Sequence, residues 1–351
     1  MRLQIISIKN SVALLLAVCS LSLSALPYSA LAATSTATHY QRLFYYRDGP
    51  LAKASFLAHA SSIDVFAPQV YSLLADGTLS GNLDPDLLAF AKKNKIKVMP
   101  LVTNGNFSPA QYQALFASTA KEDTAISALV YQAKTYGYWG WQVDFEQMQA
   151  EDKDAFSAFI ARAAAAFHQN GLVLSVAIVS KVSDTPSDYK GMLWENLIGA
   201  YDYDALGKSA DFVSLMSYDD PESSGPIAPM PWLKRVLAYT LAHVPASKVS
   251  LGIPVYYWQW NDMTKKLVQI GGNEGLQNVF KNHPTVQPVY DSASAEEYVI
   301  YASGGQVYTI WYESSQSVAA RVALVKADKL YGVSIWTLGL ELSSIYTSLK
   351  E

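Results

Sequence analysis

The sequence predicts an α/β protein, a (β/α)8 barrel of the TIM type with a small β-containing insertion between strands 7 and 8. Short apolar segments alternate with helical segments along most of the chain, and there are eight of them, the number that closes such a barrel. The alternation breaks once, at about residues 261–311. The eight predicted strands are Arg42–Tyr46, Ile63–Tyr71, Lys97–Val102, Tyr138–Glu146, Leu172–Val179, Phe212–Met216, Val249–Val255 and Gly332–Trp336.

Local signals predict helices between these strands. Asp84 followed by proline is an N-cap with proline at the first helical position, and it predicts a helix that runs to about Asn94. Ser108 begins a capping-box sequence for the next helix, and Gly137 ends a further one. Other helical patterns cover residues 156–167, 230–243 and 317–330.

The break at residues 261–311 has the composition of a β-containing subdomain. Paired glycines at 271–272 and 304–305 mark turns, and the runs 298–302 and 306–311 are rich in β-branched and aromatic residues. We therefore predict a small insertion within a single domain that spans residues 34–351.

The first 33 residues have the pattern of a secretory signal peptide. A basic start is followed by an apolar region over residues 12–26, and Ala30-Leu31-Ala32 fits the cleavage rule for small residues. A lipoprotein anchor at Cys19 is the alternative, although Val18 is bulky where a small residue is required. The pattern predicts a secreted or periplasmic protein.

Composition excludes several functions. The net charge of the chain is −4, and the leader holds two basic and no acidic residues, which leaves −6 for residues 34–351. This acidity disfavours binding to nucleic acid or to an anionic membrane surface. Cys19 is the only cysteine, so the mature chain lacks disulfides and thiolate metal sites. No apolar run of about 20 residues follows the leader, so we predict no membrane span.

The fourth predicted strand carries polar residues with a period of two. Gln142, Asp144 and Glu146 alternate with Val143 and Phe145, so the three polar side chains share one face of the strand. Two carboxylates that are buried together have their pKa values pushed apart, and one of them then stays protonated near neutral pH. This is the condition for general acid catalysis. The alternative is that the two carboxylates cap the next helix.

Candidate site residues collect at the C-terminal ends of the predicted strands, which is the functional end of such a barrel. Aromatic faces there would stack on sugar rings, whereas single tryptophans such as Trp139, Trp141 and Trp194 are expected to pack under helices. The histidines lack metal-ligand spacing, and we predict no metal or cofactor. The candidates are Tyr71, Asn104, Asp144, Glu146, Tyr218, Asp219, Tyr256 and Trp336.

Three motifs resemble glycoside hydrolase family 18, the chitinase-like hydrolases. Residues 140–146 are similar to the family signature D-G-x-D-x-D-x-E, and Met216-Ser217-Tyr218-Asp219 is similar to its M-x-Y-D motif. Trp336 matches the tryptophan at the floor of the family's sugar site. Within the family the chain most resembles the branch that acts on bacterial cell-wall and spore-cortex glycan.

The resemblance implies a substrate and a set of roles. The substrate would be an N-acetylated amino-sugar polysaccharide, cleaved without a cofactor. We separately expect a monomer, a state on which the motifs give no information. Glu146 would be the general acid, and the substrate's own N-acetyl group would attack in place of a second carboxylate. Asp144 would orient the acetamido group and Tyr218 would hydrogen-bond it. The residues that we predict to bind substrate are Gln142, Tyr71, Asn104, Met216, Asp219 and Trp336.

Two departures from the signature keep alternatives open. Trp139 replaces its first Asp, and Gln142 replaces the middle Asp, which normally shares protons with the next carboxylate. An amide can hydrogen-bond Asp144 but cannot accept its proton, so a glycan-binding protein without catalysis is the second hypothesis. An unrelated barrel, such as a sugar-phosphate enzyme, is a third. The choice among peptidoglycan, chitin and N-glycan stays open.

Overall fold

A computed structural model describes residues 39–350, in which parallel strands close into a barrel. The strand β1 pairs in parallel with both β2 and β15, so the barrel sheet has no free edge along this path. The predicted leader, residues 1–33, lies outside the described residues. The strands are β1 (Gln41–Tyr46), β2 (Val65–Leu73), β3 (Leu79–Gly81), β4 (Lys97–Val98), β5 (Leu101–Thr103), β6 (Gly140–Asp144), β7 (Val173–Val179), β8 (Phe212–Met216), β9 (Val249–Pro254), β10 (Tyr257–Asn261), β11 (Lys266–Gly271), β12 (Val289–Asp291), β13 (Glu296–Ser303), β14 (Gln306–Tyr312) and β15 (Gly332–Trp336).

The (β/α)8 barrel predicted from the sequence is confirmed. Its positions are filled by β1, β2, the β4/β5 pair, β6, β7, β8, β9 and β15, with β3 added antiparallel to β2. The third position differs from the single predicted strand because Pro100 interrupts it and proline has no N–H to donate. The Pro100 carbonyl still accepts a hydrogen bond from the Gln142 N–H at 3.0 Å, so the sheet stays continuous there.

Helices cover the outside of the barrel, and their ends follow most of the predicted signals. Asp84 caps α2 by accepting a hydrogen bond from the Asp86 N–H, and Gly137 ends α4 in the left-handed conformation. Ser108 precedes α3, but its side chain makes no capping hydrogen bond. The helices are α1 (Pro50–Ala58), α2 (Pro85–Lys93), α3 (Pro109–Phe116), α4 (Thr119–Tyr136), α5 (Lys153–Gln169), α6 (Tyr203–Ser209), α7 (Met230–His243), α8 (Asn273–Asn282), α9 (Ser315–Ala327) and α10 (Ile345–Ser348).

The insertion is an antiparallel sheet of strands β10 to β14 with α8 on one face. It begins at Tyr257 rather than near residue 261, because the aromatic cluster that follows the seventh barrel strand is itself the first strand of the new sheet. Leu276 of α8 packs against Val299, Ile310 and Tyr312. The insertion therefore has a small core of its own beside the barrel mouth.

The barrel interior contains a polar layer below its C-terminal end. Gln142 donates hydrogen bonds to the hydroxyls of Ser175 at 2.9 Å and Ser214 at 2.8 Å, and Ser334 contacts both Ser214 and Ser250. Because β6 and β8 are not neighbours in the sheet, the bond between Gln142 and Ser214 crosses the interior. Among residues 39–350, no helix is long and apolar enough to cross a membrane.

Candidate active site

A cavity of about 890 Å³ opens at the C-terminal ends of the barrel strands. The strands β6, β8 and β15 each deliver their last residue to its lining, and the residues that follow β6 and β8 extend it. This is the end of a barrel at which loops of different strands can converge on one substrate. The predicted site residues that line the cavity are Asp144, Glu146, Met216, Tyr218, Asp219 and Trp336.

Asp144 is the last residue of β6 and is almost completely buried at the floor of the cavity. The Gln69 amide donates a hydrogen bond of 3.4 Å to its Oδ2 atom. Burial, and then the negative charge of Glu146, raise the pKa of Asp144 well above 3.8. The carboxyl group therefore tends to hold a proton that it would lose in water.

Glu146 lies just beyond β6, and Asn104 holds its backbone from both sides. The Glu146 N–H donates to Asn104 Oδ1 at 3.1 Å, and Asn104 Nδ2 donates to the Glu146 carbonyl at 2.8 Å. Burial and the charge of Asp219 raise the pKa of Glu146. No side chain of residues 39–350 pairs with the Glu146 carboxyl, which leaves it available to a molecule in the cavity.

The sequence predicted that the pKa values of the two carboxyl groups are pushed apart, with one group protonated and the other ionised. Both pKa values are raised, each chiefly because water is excluded from the group. Neither side chain caps a helix, since the short 3-10 turn and α5 that follow have no side-chain caps. The helix-capping interpretation is therefore contradicted.

Tyr218, Asp219 and Trp336 form the walls around these carboxyl groups. Burial raises the pKa of the Tyr218 phenol, which consequently stays a neutral hydrogen-bond donor. The Tyr256 hydroxyl donates a hydrogen bond to the Asp219 carboxylate, and burial raises the pKa of Asp219. Trp336 meets Tyr45 edge to face at 5.1 Å between ring centroids, so an indole stands at the cavity floor.

Gln142 does not reach the cavity, contrary to the predicted substrate contact. Gln142 is fully buried two residues before Asp144 on β6. Its amide nitrogen donates hydrogen bonds to the hydroxyls of Ser175 and Ser214. The expected hydrogen bond to Asp144 is not formed among the described residues, because the amide is turned into the polar layer. Gln142 also lies within hydrogen-bond reach of the phenol of Tyr45, which lines the cavity, so it contacts the site only through other residues.

Tyr71 and Asn104 are also behind the cavity lining. The Tyr71 hydroxyl contacts the Tyr138 hydroxyl at 2.8 Å and accepts from Gln132 at 3.0 Å, in the layer between sheet and helices. The pairing of β2 shifts register between Gln69 and Tyr71, which turns Tyr71 outward and leaves Gln69 facing Asp144. Asn104 is buried and acts on the Glu146 backbone.

Sequence reasoning missed two residues beside Asp144. Tyr45 of β1 lines the cavity floor, and burial raises the pKa of its phenol. Gln69 of β2 is the hydrogen-bond donor to Asp144. Both follow the period of two on their strands, which was the available signal. Within residues 39–350, no group of three or more His, Cys, Asp or Glu side chains is arranged to hold a metal ion.

Two carboxyl groups with raised pKa values, a tryptophan and a buried phenol at the mouth of a barrel are features expected of a glycoside hydrolase. Residues 55–341 match the sequence profile of the Glycosyl hydrolases family 18. The chain belongs to this family, whose members act on polysaccharides that contain N-acetylglucosamine.

Similar proteins include a bacterial glycosylase and a cortical fragment-lytic enzyme. The glycosylase YvbX of Bacillus subtilis is 27% identical over 307 residues, covering 85% of this chain and 87% of the relative. The cortical fragment-lytic enzyme of Bacillus subtilis is 26% identical over 287 residues, and the match covers 79% of this chain and 64% of that enzyme. The chain thus spans less than two thirds of the second relative's length.

Solved structures have the same architecture. A chitinase from Chromobacterium violaceum superimposes with a TM-score of 0.78 at 29% identity, covering 89% of this chain and 98% of the chitinase. The spore cortex-lytic enzyme SleL of Bacillus megaterium also gives 0.78, with 24% identity and coverage of 88% and 73%. At that identity the second comparison supports the fold alone.

Proposed function

We propose that the protein hydrolyses β-1,4 bonds that follow an N-acetylated amino sugar in peptidoglycan or a chitin-like glycan. The observation that carries this proposal is the unpaired Glu146 carboxyl group, which lines the same cavity as Asp144, Tyr218 and Trp336. Burial and the charge of Asp219 raise the pKa of Glu146 above its ordinary value, which favours a role as proton donor. Membership of the family and its cell-wall relatives support the substrate class.

The proposed reaction is substrate-assisted and retains the anomeric configuration. Glu146 gives its proton to the glycosidic oxygen as the bond from that oxygen to C1 breaks. The carbonyl oxygen of the acetamido group forms the new bond to C1, while Asp144 accepts the acetamido N–H and Tyr218 donates to the carbonyl. Water then gives a proton to Glu146 and its oxygen to C1, which opens the oxazolinium ring.

The neutral Gln142 does not favour the binding-only alternative. It lies outside the cavity, and its amide is used within the polar layer of the barrel. Asp144 instead has Gln69 as a donor and Glu146 as the neighbouring carboxyl group. The groups that the reaction needs are therefore present around the cavity without an acid at position 142.

The substitution Glu146→Gln tests the proposal. It keeps the shape of the side chain but removes the transferable proton, so we expect kcat to fall by about 10²–10⁴-fold, the usual contribution of a general acid. Turnover is measured on chitin oligosaccharides and on peptidoglycan glycan strands, with product analysis by mass spectrometry. Glu151→Gln, an exposed carboxylate in the turn before α5, is the matched control and should keep the wild-type rate.

Wild-type rates from the Glu146→Gln variant would refute the assignment of the general acid. If the wild-type protein binds both glycans without cleaving either, the glycan-binding hypothesis replaces the hydrolase. Thermal melting of each variant shows that a lost rate is not a lost fold.

We further propose that the protein is exported, as a secreted or periplasmic enzyme, and acts as a monomer. The pattern of residues 1–33 supports export. N-terminal sequencing of the protein recovered outside the cytoplasm should begin near residue 34, and light scattering coupled to gel filtration should give the mass of one chain.

A further inference from the structure

Besides the carboxyl groups, the cavity is lined by residues of the loop after β7 and of α7, and we call this part of the cavity the side arm. Its walls are the loop that follows β7 and one stripe of α7. The stripe is made by Trp232, Arg235 and Tyr239, which recur at intervals of three and four residues and so share one side of the helix. Tyr189, Leu193 and Leu197 form the opposite wall.

One contact between the two walls, and one from the loop wall to a neighbouring loop, hold the side arm in a defined shape. The Tyr239 hydroxyl of α7 donates a hydrogen bond of 2.6 Å to Asp184 of the loop. The Lys190 ammonium pairs with the Glu222 carboxylate at 3.1 Å and so links the loop after β7 to the loop after β8. A preformed arm can bind part of a substrate without first ordering its walls.

Among the described residues, Arg235 differs from the other charged side chains of the side arm, which have ion-pair or hydrogen-bond partners. Lys190 is neutralised by Glu222, and Asp188 accepts a hydrogen bond of 2.6 Å from Ser183. Arg235 is exposed in the arm, and no carboxylate of residues 39–350 is within 4.0 Å of its guanidinium group. Burial raises the pKa of Asp220, and the positive charge of Arg235 partly offsets this by lowering it. Asp220 does not line the cavity.

The remaining surface of the arm is apolar. Trp232 is buried, and Leu193, Leu197 and Tyr239 are half-buried. An unpaired guanidinium among apolar and aromatic side chains fits a short substituent that has a carboxylate and an apolar part. Unsubstituted chitin has no such group, since its sugars carry only hydroxyl and acetamido groups.

We propose that the side arm recognises a carboxylate-bearing ether substituent on the sugar ring, of the lactyl type carried by the muramic acid of peptidoglycan, with Arg235 as the partner of the carboxylate. This inference rests on the proposed hydrolase function and names the glycan that the cavity prefers. Arg235 is a specificity-determining residue in this scheme and takes no part in bond cleavage.

The test compares three substrates that differ in charge. They are peptidoglycan glycan strands freed of peptides, the same strands with their lactyl carboxylates converted to methyl esters, and chitin oligosaccharides. We expect the wild type to prefer the free strands to the esterified strands by about tenfold in kcat/KM, the scale of a hydrogen bond to a charged group. Arg235→Gln should bring this ratio close to one, and Arg235→Lys, which keeps the charge, should retain part of it.

Lys234→Gln is the matched control, because Lys234 is the exposed neighbour of Arg235 but does not line the cavity. It should leave the ratio at the wild-type value. Equal cleavage of free and esterified strands by the wild type, or an equal loss on both strands in Arg235→Gln, would overturn the side-arm proposal and leave the hydrolase intact. Failure of the wild type to cleave any of the three glycans would overturn the hydrolase function and the side arm with it.

Discussion

At the scale of single residues, the backbone of Glu146, the proposed general acid, is held by the side-chain amide of Asn104, which does not line the cavity. Asn104 satisfies both the N–H and the carbonyl of Glu146, at 3.1 and 2.8 Å. Glu146 lies past the end of β6, so these two bonds replace the sheet pairing that would otherwise hold its backbone. Asn104 thus sets the position of the Glu146 backbone, whereas burial and Asp219 raise the pKa of its carboxyl group.

We expect Asn104→Ala to lower kcat on the order of 100-fold, because misplacing a catalytic group by about 1 Å can have an effect of that size. Steady-state kinetics on a cleaved oligosaccharide measure this change. The control is Asn170→Ala, which removes a similar side-chain bond, to the Ala166 carbonyl at the end of α5. Equal turnover in both variants would show that Asn104 has only a structural role.

At the scale of secondary-structure elements, a buried ion cluster joins the insertion to the barrel. Arg321 of α9 pairs with Glu313 at 2.6 Å and with Glu296 of β13 at 3.3 Å, and all three side chains are buried. Glu296 also accepts hydrogen bonds from the Ile227 and Ala228 N–H groups, in the loop after β8. The loop that begins with Tyr218 is therefore attached to both the insertion and α9.

We expect Arg321→Met to lower the free energy of unfolding by about 3–5 kcal/mol, because it leaves two carboxylates buried without a cation. Lys53→Met is the control, since Lys53 pairs with Asp84 at 3.0 Å on the protein surface, where such pairs add little to stability. Urea unfolding measures both values. Equal losses would contradict a special role for the buried cluster.

At the scale of the whole molecule, the buried Asp144 carboxyl group lowers the stability of the fold at neutral pH. The unfolded chain ionises Asp144 near its ordinary pKa of 3.8, but burial and Glu146 raise the pKa in the folded protein. The folded state binds the proton more tightly, so this contribution to stability is complete below pH 3.8 and is lost as the pH rises through the folded pKa. At neutral pH the buried carboxyl group is a cost to folding.

We therefore expect Asp144→Asn to be more stable than the wild type at pH 7, by about 1 kcal/mol, as often found when a functional group that opposes folding is replaced. The gain should disappear below pH 3.8, where Asp144 is protonated in both states. Thermal unfolding at the two pH values measures it. The exposed Asp154→Asn on α5 should show no such gain. A gain of equal size at both pH values would rule out ionisation as its cause.

The sequence by itself determined the architecture and the position of the two acids. Alternating apolar strands and helices can bury their faces in few ways, so eight of them predicted the barrel, which is confirmed. The period of two on β6 was sufficient to direct Asp144 inward, and the end of the strand brought Glu146 to the mouth. Both inferences need only local geometry, which a sequence records directly.

Only the tertiary structure decided how deep each polar residue lies and which loops meet. Gln142 shares its face with Asp144, yet its depth in the barrel depends on the stagger of strands that are distant in sequence. Tyr71 turned outward because a register shift on β2 reverses the alternation after Gln69. Tyr189 of the loop after β7 and Arg235 of α7 line the same cavity, and a long-range arrangement of this kind leaves no periodic signal along the chain.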